Sequence, residues 1–131
     1  MRILTEQEET LVFNDICARL PYDIKVAELI GEKPEGAYKV ISINKDRKTV
    51  AFDTPDCLIH SYRNMEMIKP YLRPISLMTA DEEYKRRIER GKDLAGGVGN
   101  ESNYLNSIHV DYRGLIEKGL AIEVTTENNP Y

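Results

Sequence analysis

Few residues in this chain have the types and spacing for covalent or metal chemistry. Cys57 and His60 set a thiol three residues from an imidazole, the ingredients of an activated nucleophile. On a strand, positions three apart point to opposite faces, so the pair reads as a structural cysteine beside an ordinary strand histidine. A zinc site needs three or four protein ligands, and neither Cys57 with His60 nor His109 with Asp111 has sequence neighbours that complete a set. Gly96, Gly97 and Gly99 precede a helix start near Ser102 and could cradle a phosphate on backbone N–H groups. The stretch lacks the P-loop lysine and the apolar strand of a dinucleotide fold, and reads as a flexible linker. No nucleophile with its base and orienting group assembles, and no pair of catalytic acids does. The sequence therefore assigns no catalytic residue, metal or cofactor, and makes an enzyme the minority expectation.

Charge points to binding instead. The chain carries 18 basic and 22 acidic residues, a net charge of −4, and so lacks the overall basic excess of proteins that bind nucleic acid or anionic membranes through their whole surface. The one basic stretch is 63–92. There Lys85, Arg86, Arg87, Arg90 and Lys92 cluster, with Arg63, Lys69 and Arg73 upstream and Tyr71 and Tyr84 interleaved. Tyr71, Arg73, Lys85, Arg86, Arg87, Arg90 and Lys92 are thus the candidate residues for an anionic ligand or an acidic protein face. Asp81/Lys85, Glu82/Arg86 and Glu83/Arg87 argue the other way, because i,i+4 pairing would neutralise that helix surface by itself. Asp111-Tyr112-Arg113-Gly114 is polar among apolar neighbours. It is expected to act as a clasp, Arg113 pairing with a carboxylate from Asp111 or from the sheet.

The elements that must position these groups follow from periodicity. At 131 residues, with 41% hydrophobic and 31% charged residues, the chain is one domain's worth of sequence with enough apolar content for a core. Thr5-Glu6-Gln7-Glu8 is a capping box ahead of Leu11, Val12, Ile16 and Leu20, which predicts a helix over 6–19 that Pro21 ends. Ile24 and Val26 alternate in a strand, and 31–36 reads as a Gly, Pro and Glu loop. The hairpin of 37–43 with 48–52 turns on Asn44-Lys45-Asp46-Arg47, and 57–62 is a fourth strand. Residues 64–68 make one helical turn, and 69–74 must be extended around Pro70 and Pro74. The spacing suggests an α+β fold: an N-terminal helix over 1–21, a small antiparallel SH3-like barrel or sheet over 22–75, and C-terminal helices over 76–131 packed on it. A second capping box, Thr79-Ala80-Asp81-Glu82, opens a surface helix expected to stop at Gly91, and 92–100 is a mobile loop. Short helices are expected over 102–110 and 112–118, then a closing strand over 120–124 and a frayed tail.

Three blocks, 17–22 (Cys-Ala-Arg-Leu-Pro-Tyr), 68–74 (Ile-Lys-Pro-Tyr-Leu-Arg-Pro) and 111–121 (beginning Asp-Tyr-Arg-Gly-Leu-Ile), occur in this order. In them the chain resembles a family of short uncharacterised proteins of gut Bacteroidales and of their prophages and other mobile elements, over nearly its whole length. The resemblance implies a bacterial or phage cytoplasmic setting and brings no activity. Tyr104 stands where a tryptophan is expected, and Ile108-His109-Val110 where a His-His-Phe run is expected, so no role resting on a histidine pair is carried over.

With two cysteines, an acidic N-terminus and no apolar run near the ~20 residues a membrane span needs, the expectation is a cytoplasmic protein with reduced thiols and no membrane contact. The functional expectation is a non-enzymatic binding or accessory protein of a phage or other mobile element. Its partner is a protein or an anionic ligand. A binder of a small phosphorylated ligand or nucleotide signal, and a nucleic-acid-binding SH3-like module, stay open as alternatives, as does the oligomeric state.

Overall fold

The N-terminal capping box forms as its residues require. In the computed structural model, which describes residues 3–53 and 62–131, Thr5 Oγ1 accepts from Glu8 N (3.1 Å) while Glu8 Oε1 accepts from Thr5 N (3.0 Å). Helix α1 (Glu6–Arg19) follows and passes into a 3-10 turn over Leu20–Tyr22 that carries Pro21. Its inward stripe is Val12, Phe13, Asp15, Ile16 and Arg19. The apolar members pack on Val26, Val40, Val50, Phe52, Met65, Ile68 and Leu72 of the sheet region. A fully buried side chain such as Ile16 contributes roughly 1.5–3 kcal/mol.

The sheet is built from β1 (Lys25–Ile30), β2 (Lys33–Asn44), β3 (Thr49–Phe52), β4 (Tyr62–Asn64) and β5 (Ile68–Pro74). Two later two-residue strands, β6 (Val110–Asp111) and β7 (Ile122–Glu123), join it. The expected 31–36 loop is instead a tight turn at Gly31 (φ +68°), after which β2 runs back along β1 with Lys33 opposite Ile30 and Pro34 opposite Leu29. Pro34 is tolerated because β3 pairs only with the 40–44 half of β2, leaving the early half an edge. The predicted hairpin is present, and Asn44 Oδ1 closes its turn by accepting from Asp46 N and Arg47 N. Cys57 and His60, and most of the expected fourth strand, lie outside the described residues; its last residue, Tyr62, opens β4.

The α+β class stands, but among the described residues the sheet is not a closed barrel. Its order is β4-β3-β2-β1-β5-β6, with β7 also on β5. The first half of β5 pairs antiparallel with β1, as far as Pro70 opposite Val26. Its second half takes β7 (Tyr71 opposite Ile122) and β6 (Arg73 opposite Val110), both parallel. The C-terminal segment thus occupies the backbone that would have to meet β4 for closure.

Helix α2 (Ala80–Leu94) begins at the predicted capping box but runs through Gly91. It ends three residues later because Gly96 (φ +108°) and Gly97 form the cap: Gly96 N donates to Asp93 O and Gly97 N to Lys92 O, which satisfies the final carbonyls. Helix α3 is shorter than expected, Asn100–Ser107. His109 at φ +59° breaks it, and 112–118 is a set of turns rather than a helix. Asp111 organises those turns, its carboxylate accepting from Leu115 N (3.0 Å) and Ile116 N (2.8 Å). The tail is anchored rather than frayed: the Tyr131 hydroxyl donates to Tyr71 O (2.9 Å) and accepts from Lys25 N (3.1 Å), and its ring stacks on His109 at 4.0 Å.

Candidate interaction surface

The expected clasp is present, with a different carboxylate. Arg113 pairs with Asp15 of α1, which is wholly buried and also holds Arg19 Nε at 3.0 Å. Arg19 directs its other nitrogens to the carbonyls of Val110 (2.6 Å) and Leu105 (3.4 Å), and Tyr112 lies under both guanidinium groups. Asn106 Oδ1 accepts from Tyr112 and Arg113. The sequence carried a signal for Asp15 and Arg19 that periodicity alone undervalues. Both sit on the inward i, i+3, i+4, i+7 stripe with Val12 and Ile16, where an ion pair can be buried only if the rest of the fold supplies partners. This network locks α1 to the C-terminal segment and leaves no free charge for a ligand.

The seven candidate binding residues do not assemble into one anion site. Tyr71 donates its hydroxyl to Gly36 O (2.8 Å), away from the helical cluster, and burial raises its pKa. Arg73 is held by Glu82 through two parallel hydrogen bonds of 2.7 Å and also reaches Ile108 O. That bond raises the Arg73 pKa and pushes the Glu82 carboxyl down to about 2, burial opposing the shift. Arg86 and Arg90 converge on one oxygen of Glu101, at 2.9 Å and 2.8 Å, and their hydrogen bonds lower the Glu101 pKa. Lys92 pairs with Glu89 at 2.9 Å. Of the six basic candidates, only Lys85 and Arg87 have no ion pair among the described residues.

None of the three predicted i,i+4 pairs forms. Glu82 is taken by Arg73 and Arg86 turns to Glu101, with Glu83 at i,i+3 as its second partner (3.8 Å). The glycine loop is no phosphate cradle either. The Asp93 carboxylate already accepts from Asn100 N (2.9 Å) and Glu101 N (3.0 Å), and these bonds lower its pKa. The N-terminus of α3 is thereby filled by the chain's own anion. The 92–100 segment is tied across by these bonds.

These contacts orient α2 in an unusual way. Its half-buried residues are Glu82, Glu83, Arg86, Glu89 and Asp93, spaced as one helical face and all charged. None of its residues is fully buried. The opposite face, Ala80, Tyr84, Ile88, Gly91 and Ala95, points to solvent, with Tyr84 66% and Ile88 43% exposed. Leu77 (61%), just before the helix, and Leu94 (84%) and Val98 (92%), at and beyond its end, are exposed as well. A surface helix ordinarily turns its apolar stripe inward. Here the ion pairs to Arg73 and Glu101 turn the helix the other way and leave Ala80, Tyr84, Ile88 and Gly91 on the outside. Lys85 and Arg87 flank that strip on either side, 100° and 60° around the helix from Tyr84 on a 3.6-residue turn.

Comparison with known proteins finds no matching family model, no matching curated protein and no matching solved structure. Among the described residues no helix is long and apolar enough to cross a membrane, and no group of three or more His, Cys, Asp and Glu is placed to hold a metal ion.

Proposed function

We propose that this chain is a non-enzymatic binding protein whose interface is the outward face of α2 and whose partner is a protein. One observation carries the reading: a helix with its charged face docked inward and Tyr84 and Ile88 exposed on its outer face, with Leu77, Leu94 and Val98 exposed at its ends. Contiguous exposed apolar strips rimmed by charge are the signature of interaction sites rather than of ordinary surface. The aromatic centre with Arg87 beside it is also the composition favoured at binding hot spots. Recognition of a phosphorylated ligand or a nucleic acid by the 85–92 cluster is the weaker reading, since Arg86 and Arg90 share the Glu101 carboxylate and Lys92 pairs with Glu89. A role in a phage or other mobile element is proposed on the resemblance of the three sequence blocks.

The test is capture of partners by the immobilised chain from its host's lysate, repeated with Tyr84→Glu, Ile88→Glu and the distant control Lys33→Glu. A stoichiometric protein, this chain included, should be retained by the wild type and the control and lost with the first two substitutions. Retention indifferent to Tyr84 and Ile88, or a retained nucleotide or nucleic acid released by salt and by Arg87→Glu, overturns the reading.

A further inference from the structure

His109 is 7% exposed, and its Nδ1 meets no hydrogen-bond partner among the described residues. The ring's backbone hydrogen bond is to Tyr22, so Nε2 carries the proton of the neutral imidazole and Nδ1 is where a second one must go. That proton would be a buried donor with nothing to accept it. The backbone does not swing the ring out to water. At φ +59°, His109 N donates to Asn106 O (3.1 Å) and the His109 carbonyl accepts from Arg73 N (2.8 Å).

The groups facing the ring oppose a second proton. Helix α1 brings Arg19 and β5 brings Arg73, cations that repel an imidazolium. Asp23, after the 3-10 turn, attracts it, but that carboxylate is largely exposed and paired with Lys39 at 3.2 Å. Tyr131 covers a face of the ring, stacked at 4.0 Å and 12°. A phenol face favours a cation, yet it offers no acceptor in the imidazole plane, where the Nδ1 proton lies.

Tyr131 is also the neighbour most easily removed. Arg19 is wholly buried and Arg73 is held by Glu82, whereas residues 125–129 are all exposed. Among the described residues, three hydrogen bonds tie the segment beyond Val124 to the sheet. Lys25 Nζ donates to Pro130 O (2.8 Å), and the Tyr131 hydroxyl bridges Lys25 N and Tyr71 O where β5 parts from β1 and takes β6. A segment held by a few exposed bonds opens at low cost.

We propose that residues 125–131 are an acid-released strap: when His109 takes a second proton at Nδ1, Tyr131 leaves the imidazole and its place between β1 and β5, which admits water to the ring and uncovers Lys25 N and Tyr71 O while the core stays folded. Burial and the Arg19 charge hold the imidazole at about 4 under the strap, against 6.5 in water. The closed position is therefore unpenalised above pH 6.5 and loses up to about 300-fold of its advantage as pH falls through 4. Three net hydrogen bonds at about fivefold each hold the strap by roughly 100-fold, before the entropy of ordering the segment is subtracted, so the loss is large enough to open it.

An NMR titration of the full chain from about pH 7.5 to about 3.5 follows the ring protons of His109 and Tyr131 and the Lys25 amide, with the Ile16 and Val50 amides reporting on the core. The Tyr131 and Lys25 signals should move with the His109 midpoint while the core signals stay. In Tyr131→Ala the His109 midpoint should rise by at least about one pH unit, because a strap expelled by the proton must in turn disfavour the proton. In His109→Asn, where asparagine tolerates the left-handed backbone, the Lys25 amide should lose its pH dependence between about 6.5 and 4. A Tyr131 ring that stays in place while His109 titrates overturns the proposal, as does an unchanged midpoint in Tyr131→Ala or a Lys25 step that persists in His109→Asn. Loss of the Ile16 and Val50 signals together with that of Tyr131 also overturns it, since the acid step is then unfolding of the whole domain.

Discussion

The ion pair that turns α2 inside out should be measurable as a pH-dependent share of stability. Glu82→Gln removes the charge that Arg73 holds while keeping the side-chain length and an acceptor for Thr79 N. In the fold the Glu82 carboxyl is pushed from 4.5 to about 2, chiefly by its hydrogen bonds from Arg73. Taken at face value that is roughly 3 kcal/mol, since one unit is worth about 1.4. The two side chains are 25% and 18% exposed, and solvent screening brings the expected contribution to about 1–2 kcal/mol. The folded pKa lies below the unfolded one, so the stabilisation is complete above pH 4.5 and is lost as pH falls from there towards 2. Urea unfolding of wild type and variant at pH 7 should therefore differ by about 1–2 kcal/mol, a midpoint shift near 1 M. At about pH 2 the two should nearly coincide. Amide exchange in α2 should rise in the variant, because the helix buries no residue fully and is held largely by such pairs. A gap of equal size at both pH values would refute the electrostatic account, and no gap at pH 7 would show that Arg73 does not hold the helix.

Asp15→Ala should be much more damaging, because it strands the fully buried Arg19 guanidinium and unpairs Arg113. Two carbonyls remain for Arg19, so the cost is expected at the lower end of the roughly 3–5 kcal/mol seen when a buried pair is broken. Denaturant unfolding showing a loss below about 1 kcal/mol would contradict the burial of that pair. His109 is buried beside Arg19 and stacked on Tyr131, and its Nδ1 has no hydrogen-bond partner among the described residues. Burial first, then the Arg19 charge, lowers its pKa from 6.5 to about 4. A histidine kept neutral in the fold makes stability fall as pH drops from 6.5 towards 4, by up to about 3 kcal/mol. An NMR titration of the imidazole with a midpoint near 6.5, or an unchanged pH slope in His109→Asn, would count against this.

Local chemistry made much of the molecule legible. Both capping boxes, the stop at Pro21, the Asn44 turn and the extended run through Pro70 and Pro74 depend on residues within a few positions of one another, and all are found. The stop expected at Gly91 was misplaced because glycine ends a helix only where a left-handed cap forms, and that cap belongs to Gly96 and Gly97. The 112–118 segment reads as a helix because Leu115 and Ile116 could both face inward on one, yet Asp111 and Gly114 (φ +78°) draw the backbone into a capped turn. The clasp was visible as a need of Arg113 for a carboxylate, but not as Asp15, 98 positions away.

For the candidate site, the residue types along α2 by themselves determined a helix with an acidic start, basic later turns and a thin apolar stripe at Ala80, Tyr84 and Ile88. Which way that stripe faces was decided only by tertiary structure. Each carboxylate on α2 and α3 could satisfy a near or a distant cation at similar cost, and a sequence does not rank those choices. Arg73 on β5 and the shared Glu101 on α3 win because the fold brings them within 3 Å of Glu82, Arg86 and Arg90, where they are partly shielded from water. Charge pairs strengthen with such shielding, whereas an exposed i,i+4 pair contributes a few tenths of a kcal/mol at about the solvent dielectric. The charged face therefore docks inward, and the apolar face is left exposed.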